Sequence, residues 1–431
     1  MRRPPPACPS STTLAALTGL TAFGALLGAC DLDPAALPEL VYELPVEQSW
    51  SAPILVPAPG PGEGRIYLTN NLDDTVSVLD LDSAEAGAPV ELARLPVGLT
   101  PVEREGPHHA AADASATYYY VGISNFVPGA GVGLPHGNHG TGTQPGYVLQ
   151  LRVEDNQLVE SVRLDANPGD VRLSPDGRLL LMTHFDVGKI NAAVAAGINS
   201  GPALDARLAI IDVATMDRPT FVSLCPAPHG VAITADSRTA IFSCQSDEAA
   251  VVDLSDPVFP VTRVPLLDTP GTPAAPACGP YAVTLDEAAG RTTGWVSCYI
   301  DGRVIAVDLG GGAAAAARDG RVLQLQGRAL FGHAVEGQLV LAHQSTDGIS
   351  VFDTTGETPT FVSTRLLVGE NCLLPHYARW SEGGSIFLVC EGDKREPGSF
   401  MVLEAAAPHA VRGSVALGRF PDDMAIARRA P

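Results

Sequence analysis

The stretch between residues 168 and 182 reads Pro168-Gly169-Asp170-Val171-Arg172-Leu173, then Ser174-Pro175-Asp176-Gly177, and it ends in an apolar run from Leu179 to Met182. A Pro opens a short run with apolar positions, an Asp-Gly pair typical of tight turns follows, and a second apolar run comes next. This pattern predicts two short antiparallel strands joined by a turn. In a comparable stretch a third run ends in Val251-Val252-Asp253, so the unit has at least three strands.

The same unit recurs along the chain. Its other copies begin at Pro107, Pro228, Pro280, Gly332 and Pro375. The residues directly after the opening positions, taken in chain order, are His108, Gly169, His229, Tyr281, His333 and His376. Their successive spacings are 61, 60, 52, 52 and 43 residues. Repeats of roughly 40 to 60 residues that consist of short strands and Asp-Gly turns are typical of β-propeller blades.

The two ends of the repeat region complement each other. Arg65 to Thr69 and Thr75 to Asp80 have the pattern of second and third strands, with no first strand before them. Pro421 to Ile426 has the first-strand pattern, and Asp422 lies 46 residues after His376. We expect this last strand to close the first blade, because closure removes open sheet edges. The sequence therefore predicts an all-β, seven-bladed β-propeller.

Two motifs carry a family resemblance. Ile66-Tyr67-Leu68-Thr69-Asn70-Asn71, followed by Thr75 to Asp80, resembles the YVTN repeat of bacterial surface and periplasmic propellers. Leu173 to Arg178 is similar to the first turn of that repeat. The resemblance covers nearly all of the chain after the N-terminal segment. It implies the propeller fold, and it implies binding proteins of the cell envelope more than any one activity.

The N-terminal segment has the features of a lipoprotein signal. Arg2 and Arg3 precede an apolar run from Leu14 to Leu27, which is shorter than the roughly 20 residues of a membrane-spanning helix. Leu27-Gly28-Ala29-Cys30 resembles the lipobox of bacterial lipoproteins. The resemblance implies that a diacylglyceryl group anchors Cys30 to the lipid bilayer. The alternative is an ordinary secretory signal with Cys30 as a spare thiol.

These features divide the chain into a signal peptide at residues 1–29, a lipidated tether at 30–48 and a propeller at 49–431. We expect an exported, monomeric protein that is anchored to the bacterial cell envelope, periplasmic or at the cell surface. Without its signal peptide the chain has 25 Lys and Arg residues against 48 Asp and Glu residues, a net charge of −23. This charge argues against nucleic acid as a partner and against a basic membrane-binding surface.

Six further cysteines fall into three pairs, separated by 19, 20 and 18 residues. The pairs are Cys225 and Cys244, Cys278 and Cys298, and Cys372 and Cys390. In each pair the first Cys comes shortly before a predicted first strand, and the second ends the neighbouring second strand. Because an exported protein meets an oxidising compartment, we predict three disulfides within blades. The alternative is metal sites that combine these cysteines with nearby histidines.

The repeat also places several polar side chains on one face. The first residue of strand one and the last residue of strand two should lie at the same end of the channel. The predicted binding face therefore consists of His108, His109, His184, His229, Tyr281, His333, His343, His376 and Asp422. Histidines at crowded, half-wet positions are often structural, but a transition metal or a haem-like group could also use them.

Three functions remain open. We expect foremost a non-catalytic binding or scaffold propeller without a cofactor, which engages an unidentified protein or small molecule at this face. A metal- or haem-linked redox partner is the first alternative, although the chain has no Cys-x-x-Cys-His motif for haem attachment. A lactonase-like hydrolase is the second, and it rests on fold analogy and on Gly106-Pro107-His108-His109. No motif of a known hydrolase or phosphate-binding loop is present, so the sequence assigns no catalytic residue.

Overall fold

A computed structural model describes residues 56–98, 105–124, 140–310 and 315–431. The predicted signal peptide, Cys30 and the tether at 30–48 lie outside the described residues. Within the described residues the structure is nearly all β, with 28 strands in six sheets.

Five of the sheets contain four antiparallel strands each. The first is β28 (Pro421–Arg428), β1 (Gly64–Asn70), β2 (Thr75–Asp80) and β3 (Glu91–Pro96), in hydrogen-bonded order. The other four are β4 (Pro107–Ala112), β5 (Tyr118–Ile123), β6 (Pro145–Arg152) and β7 (Leu158–Ala166); β8 (Pro168–Leu173), β9 (Leu179–His184), β10 (Asp205–Asp212) and β11 (Thr220–Pro226); β12 (Pro228–Ile233), β13 (Thr239–Cys244), β14 (Glu248–Asp253) and β15 (Val261–Pro265); and β16 (Pro280–Ala288), β17 (Arg291–Cys298), β18 (Arg303–Asp308) and β19 (Ala316–Gln324).

The sixth sheet has eight strands and consists of two four-stranded antiparallel halves. They are β20 (Arg328–Val335), β21 (Gln338–Gln344), β22 (Gly348–Asp353) and β23 (Thr360–Leu366), and β24 (Pro375–Trp380), β25 (Ser385–Cys390), β26 (Ser399–Glu404) and β27 (Val411–Ala416). The two halves meet through one parallel residue pair, Phe331 and Tyr377, between β20 and β24.

The C-terminal strand joins the N-terminal sheet as the sequence predicts. β28 pairs antiparallel with β1, with Ile66 opposite Ile426 and Leu68 opposite Met424. Strands β4, β8, β12, β16, β20 and β24 contact one another in chain order, and β28 contacts both β24 and β4. The first strands of the sheets therefore form a closed ring around an axis.

One kind of hydrogen bond recurs at four of the junctions between neighbouring sheets in this ring. A Ser or Thr next to the end of a second strand donates its hydroxyl to the first-strand carbonyl of the following sheet. The pairs are Thr69 to His108, Thr183 to His229, Ser243 to Tyr281 and Ser297 to Leu330, at 2.6 to 2.9 Å.

Burial follows position within the sheet. Every residue of β1 is buried, whereas the outermost strand β27 alternates between half-buried and exposed residues. Because the inner strands are covered on both faces by neighbouring sheets, they read as continuous apolar runs, and only the outer strands alternate. The apolar clusters accordingly lie between sheets; in one of them Leu181 and Ile210 pack with Val231 and Phe242.

The predicted disulfides are present. Cys278–Cys298 and Cys372–Cys390 each bridge the segment before a first strand to the end of the second strand of the same sheet. Cys225 lies instead in β11, the last strand of the preceding sheet, so Cys225–Cys244 joins two neighbouring sheets, and the prediction of a disulfide within one blade is wrong for this pair. All six cysteines are buried. Their sulfurs are therefore unavailable as thiolate ligands, and the alternative of Cys-containing metal sites is wrong for these pairs.

Helices are short and peripheral in the part of the chain that the structure describes. They are α1 (Leu81–Glu85), α2 (Val187–Ala195) and a 3-10 turn at Pro202–Leu204. Asp186 caps α2 by accepting a hydrogen bond from the backbone N–H of Lys189. Among the described residues, no helix has the length and apolar character needed to cross a membrane.

Candidate functional site

The start of each first strand contributes two residues to the axis. The opening residue of each strand pairs with the last residues of its second strand, as in Pro228 with Cys244 and Ala329 with His343. The first residues after the opening positions are His108, Gly169, His229, Tyr281, Leu330, His376 and Asp422. The second residues are His109, Asp170, Gly230, Ala282, Phe331, Tyr377 and Asp423. We call these two rings together the axial cluster.

Aromatic rings fill much of the axial cluster. His108 stacks on His109 with centroids 4.4 Å apart, and His229 stacks on Tyr281 at 3.8 Å. Phe331 lies 5.2 Å from His109 and 5.3 Å from the ring of His376. The four histidines and Tyr281 are at most 4% exposed. The channel end predicted to be a half-wet mouth is therefore a buried, ring-lined centre.

One part of the axial cluster is a charge network built on Arg172. Its guanidinium Nη1 lies 2.9 Å from Asp170 Oδ1 and 2.9 Å from Asp423 Oδ2. His109 Nδ1 lies 3.0 Å from Asp423 Oδ2 and 3.2 Å from Asp170 Oδ1. Because carboxylates accept and do not donate, His109 Nδ1 carries the proton and its Nε2 has the lone pair. These four residues, the Arg172 network, join three sheets across the axis.

The two carboxyls of the Arg172 network differ. Burial pushes the pKa of Asp423 upward, but the charges of Arg172 and His109 outweigh it and hold the pKa below its ordinary value. Burial raises the pKa of Asp170, and Arg172 and His109 offset this only in part. Asp423 is therefore the ionised partner of Arg172.

A second group lies beside this network. His376, Glu391 and Asp422 are fully buried, and one ligand-type atom from each lies within 4.8 Å of the others. His376 Nε2 is 3.9 Å from Glu391 Oε1, which also accepts a 3.0 Å hydrogen bond from Gln344 Nε2. His376 Nδ1 donates to the backbone carbonyl of Asp422, so the lone pair of this ring is on Nε2. We call these three residues the His376 group.

Asp422 differs from its neighbours in having no partner. Neither carboxyl oxygen has a hydrogen-bond partner among the described residues. Burial raises its pKa well above the ordinary value, and the charges of Glu391 and Asp423 add to the shift, while Lys394 offsets it only partly. Without a cation, burial and the neighbouring carboxyl groups therefore favour the protonated form of Asp422.

Other buried polar atoms near the axis also lack partners among the described residues. Among them are Asn71 Nδ2 and Oδ1, His109 Nε2, Gln344 Oε1 and Asp423 Oδ1. Asn71 and Glu391 directly follow their second strands, and Gln344 is the last residue of its second strand. Since nearly all buried polar groups in proteins are hydrogen-bonded to protein or to water, their concentration near the axis makes it the candidate site.

The predicted position of His333 is wrong, because its strand starts at an earlier residue than the sequence pattern predicts. Ala329, not Gly332, stands opposite His343, and Leu330 accepts the inter-sheet hydrogen bond that His108, His229 and Tyr281 accept in other sheets. This sheet has Ala329 where the others have Pro, so Gly332-His333 was mistaken for the opening pair. His333 lies two residues beyond Phe331, and it lines a cavity of about 270 Å³ with Arg172, Phe331 and Tyr377.

His184 and His343 end their second strands as predicted, but their rings do not join the axial cluster. His184 Nδ1 bonds to the carbonyl of Arg207, and its ring lies 6.1 Å from Phe221. His343 Nδ1 is 2.9 Å from Thr346 Oγ1, within its own sheet. Both rings turn toward the third strand of their sheet, because side chains on a strand alternate between its two faces. The prediction that all the histidines converge is therefore wrong for these two.

Sequence reasoning missed Asp170, Arg172, Asp423, Glu391 and Gln344. A signal for two of them was present: Pro107-His108-His109, Pro168-Gly169-Asp170 and Pro421-Asp422-Asp423 align, and their third residues meet on the axis. The predicted face used mainly the first residue after each opening Pro, and it therefore lacked most of the ring formed by the second residues.

Comparison with known proteins shows what fold this is. No family model and no curated protein sequence matches the chain. Among solved structures, the periplasmic gluconolactonase PpgL of Pseudomonas aeruginosa is 16% identical, with a TM-score of 0.60 over 85% of this chain and 99% of that one. A protein of unknown function from Desulfotomaculum acetoxidans is 11% identical, with a TM-score of 0.59 over 85% and 99%. The dihydro-haem d1 dehydrogenase NirN is 13% identical, with a TM-score of 0.52 over 87% and 77%. At these identities the likeness concerns the fold alone, and it identifies the chain as a β-propeller.

Proposed function

We propose that this chain is an exported, lipid-anchored propeller of the YVTN type, with seven blades, that binds a small polar ligand at the axial cluster without transforming it. The observation that carries the binding function is the set of buried polar atoms near the axis that have no protein partner, above all His109 Nε2 and both oxygens of Asp422. Leaving such groups unpaired costs about 1–3 kcal/mol each, and a bound ligand would remove that cost.

The count of seven blades rests on the ring of first strands. The eight-stranded sheet is held together across its middle by the single pair Phe331 and Tyr377, so we count its halves as two blades. Seven first strands then surround the axis, with β28 as the seventh.

Export is supported by the three disulfides, which persist in oxidising compartments. The lipid anchor is supported by the lipobox-like sequence that ends at Cys30. Intact-mass analysis of membrane-extracted protein should show a diacylglyceryl adduct on Cys30, and Cys30→Ala should be unprocessed or soluble. A wild-type mass without the adduct would remove the anchor from the proposal.

Ligand binding is tested on the detergent-extracted full chain. Native mass spectrometry should show a co-purifying small molecule, and melting in the presence of D-gluconate or D-glucono-1,5-lactone probes the polar chemistry of the site. His109→Gln should reduce both signals, while the matched buried control His343→Gln should keep them. Absence of any adduct and of any shift in the wild type would refute ligand binding at the axis.

Lactone hydrolysis is a second candidate, and one observation favours it. Asp423 fixes the proton of His109 on Nδ1, which leaves Nε2 as a possible general base toward a water molecule, in the way that a carboxylate orients the His of a catalytic triad. The similarity in fold to a gluconolactonase also favours lactone hydrolysis. Release of acid from glucono-1,5-lactone above the spontaneous rate, lost in His109→Gln, would support hydrolysis, and a rate equal to the spontaneous one would exclude it for this substrate.

A further inference from the structure

The His376 group has the composition of a metal site. It offers one imidazole nitrogen and two carboxylates from three separate positions: the start of β24, the residue after β25 and the start of β28. All three side chains are fully buried. Two adjacent carboxyls in a dry centre are costly unless a cation or a proton neutralises them.

Each ligand atom is already oriented. The hydrogen bond from His376 Nδ1 to the Asp422 carbonyl aims the Nε2 lone pair away from that carbonyl, toward the side of Glu391. Gln344 holds Glu391 Oε1, and the Glu391 backbone N–H donates to the carbonyl of Leu374 at 3.1 Å. Such outer partners fix the geometry of metal ligands in known sites.

Asp422 supplies an independent observation. It is 0% exposed, lies within ligand distance of the other two side chains, and has no hydrogen-bond partner for either oxygen among the described residues. A carboxyl kept only for structure would be paired, as Asp423 is with Arg172 and His109. A cation between Asp422, Glu391 and His376 would give it the missing partner.

Other clusters of ligand-type residues are less suitable. His109, Asp170 and Asp423 already surround the Arg172 guanidinium, whose charge would repel a metal ion. Cys278 and Cys298 near Asp301 are bound to each other as a disulfide. His108 and His109 stack nearly parallel at 16°, and His109 Nδ1 is bound to Asp423.

We infer that His376, Glu391 and Asp422 bind one divalent transition-metal ion. The mixed set of one imidazole and two carboxylates suits Zn²⁺ or Mn²⁺ and disfavours copper(I), which prefers sulfur. With metal–ligand distances of about 2.0–2.2 Å, tetrahedral ligand atoms lie roughly 3.4 Å apart, so the 3.9 Å between His376 Nε2 and Glu391 Oε1 needs only a small contraction. The remaining coordination positions would take water or the ligand of the proposed function. The inference deepens that function, because it names an ion as one occupant of the axial cluster.

The test uses the full chain, extracted in detergent and purified through a tag without histidines. After treatment with a chelator, the protein is reloaded with ZnCl₂ or MnCl₂ and desalted, and the metal is measured by mass spectrometry and by calorimetric titration. We expect one ion per chain in the wild type. Asp422→Asn and, separately, His376→Gln should each weaken binding at least tenfold.

Asp286→Asn is the matched control. Asp286 is also a buried carboxyl, but it bonds to Thr354 and Trp295 away from the axis, so this variant should bind the ion like the wild type. Melting of each metal-free variant shows whether it folds, and added metal should raise the melting temperature of the wild type and Asp286→Asn only. A wild type that retains neither ion, or an Asp422→Asn variant that binds as the wild type does, overturns the inference. If gluconate or a co-purified molecule still binds in that case, the metal inference fails and the proposed function stands.

Discussion

Asp422 and Asp423 are neighbours in β28, equally buried, and yet they belong to two different environments. Asp423 faces His109 and Arg172, which both bond to its Oδ2, and it is held in its ionised form. The carboxyl of Asp422 faces His376 and Glu391, has no hydrogen-bond partner among the described residues, and has a pKa that burial raises well above its ordinary value. Because successive residues of a strand point to opposite sides, one strand start serves both the Arg172 network and the His376 group.

This contrast distinguishes the Arg172 network, which mainly stabilises the fold, from the His376 group, which we propose binds an ion. The Arg172 network places its guanidinium between two carboxyl groups and joins three sheets, which is the pattern of a stabilising charge cluster, although His109 Nε2 has no hydrogen-bond partner among the described residues. The His376 group keeps an unpaired carboxyl in a dry place, which costs stability and is typical of sites that bind. Four sets of variants test the contrast. The first three are ordered by their expected effect on stability, and the last concerns a smaller effect on metal affinity.

Removing both aspartates with their strand should have the largest effect. Truncation after Gly418 deletes β28, exposes the edge of β1 and leaves His109 and Arg172 without Asp423. We expect loss of a cooperative unfolding transition in urea, because closure of the ring is lost. Truncation after Arg429, which removes only Ala430 and Pro431, is the control and should unfold like the full chain. An unchanged midpoint in the long truncation would contradict closure by β28.

Removing Arg172, the cation of the Arg172 network, should have the second-largest effect on stability. Arg172→Met leaves Asp170 and Asp423 buried together without their guanidinium, and breaking a buried ion pair in this way costs about 3–5 kcal/mol of unfolding free energy. Arg152→Met, which breaks the exposed pair with Asp155, should cost less than about 1 kcal/mol. Equal effects in urea denaturation would show that the Arg172 network does not stabilise the fold.

The two aspartates should respond to pH with opposite sign in chelator-treated protein. The folded pKa of Asp423 is lowered, so its contribution is present above the ordinary value of 3.8 and is lost as the pH falls below it. Asp423→Asn should therefore cost about 1–3 kcal/mol at pH 7 and less at pH 3. Removing Asp423 would also relieve its repulsion of Asp422, which reduces the net cost.

The folded pKa of Asp422 is raised by burial, Glu391 and Asp423, against Lys394, while His376 faces it as well. Its carboxyl therefore disfavours folding increasingly as the pH rises above 3.8. Asp422→Asn should gain stability relative to the wild type between pH 4 and pH 8, with no gain at pH 3. Denaturant titrations at several pH values measure the free energy of unfolding of both variants. If this free energy changed with pH in the same way for both, the two sites would not differ as described.

The smallest effect concerns the disulfide beside the His376 group. Cys390 directly precedes Glu391, so removing Cys372–Cys390 by double Ala substitution should loosen that ligand and lower Zn²⁺ affinity by up to about tenfold. Removing Cys225–Cys244 in the same way should cost similar stability, about 3 kcal/mol, without changing Zn²⁺ affinity. Titration calorimetry on both variants distinguishes a local effect on the site from general destabilisation.

The fold was accessible from the sequence because each sheet repeats its opening Pro, its turn and its apolar runs. The exception is instructive: Ala329-Leu330-Phe331 has the opening position without Pro, and Gly332-His333 imitates it three residues later. Local patterns identify strands well, but the register within a sheet depends on the hydrogen bonds to its neighbours, such as Ser297 to Leu330.

The candidate site was only partly accessible. His108, His109, His229, Tyr281, His376 and Asp422 meet at the axis because their position in the repeat fixes it. The contact between Asp423 and Arg172 joins residues 251 positions apart, and Glu391 reaches the centre from beyond a second strand. Which way a buried side chain points, as for His184 and His343, is set by packing against its own sheet, and no sequence spacing reveals it.

The closing strand also fixes when this protein can finish folding. Because synthesis starts at the N-terminus, β28 (residues 421 to 428) is the last strand to be made. Until then, the edge of β1 that pairs with β28 stays unpaired. Contacts of such sequence separation slow folding, and the waiting edge invites pairing with other chains. During synthesis, the chain can therefore aggregate through the free edge of β1 until β28 has been made. The duration of this period depends on how fast the chain is synthesised.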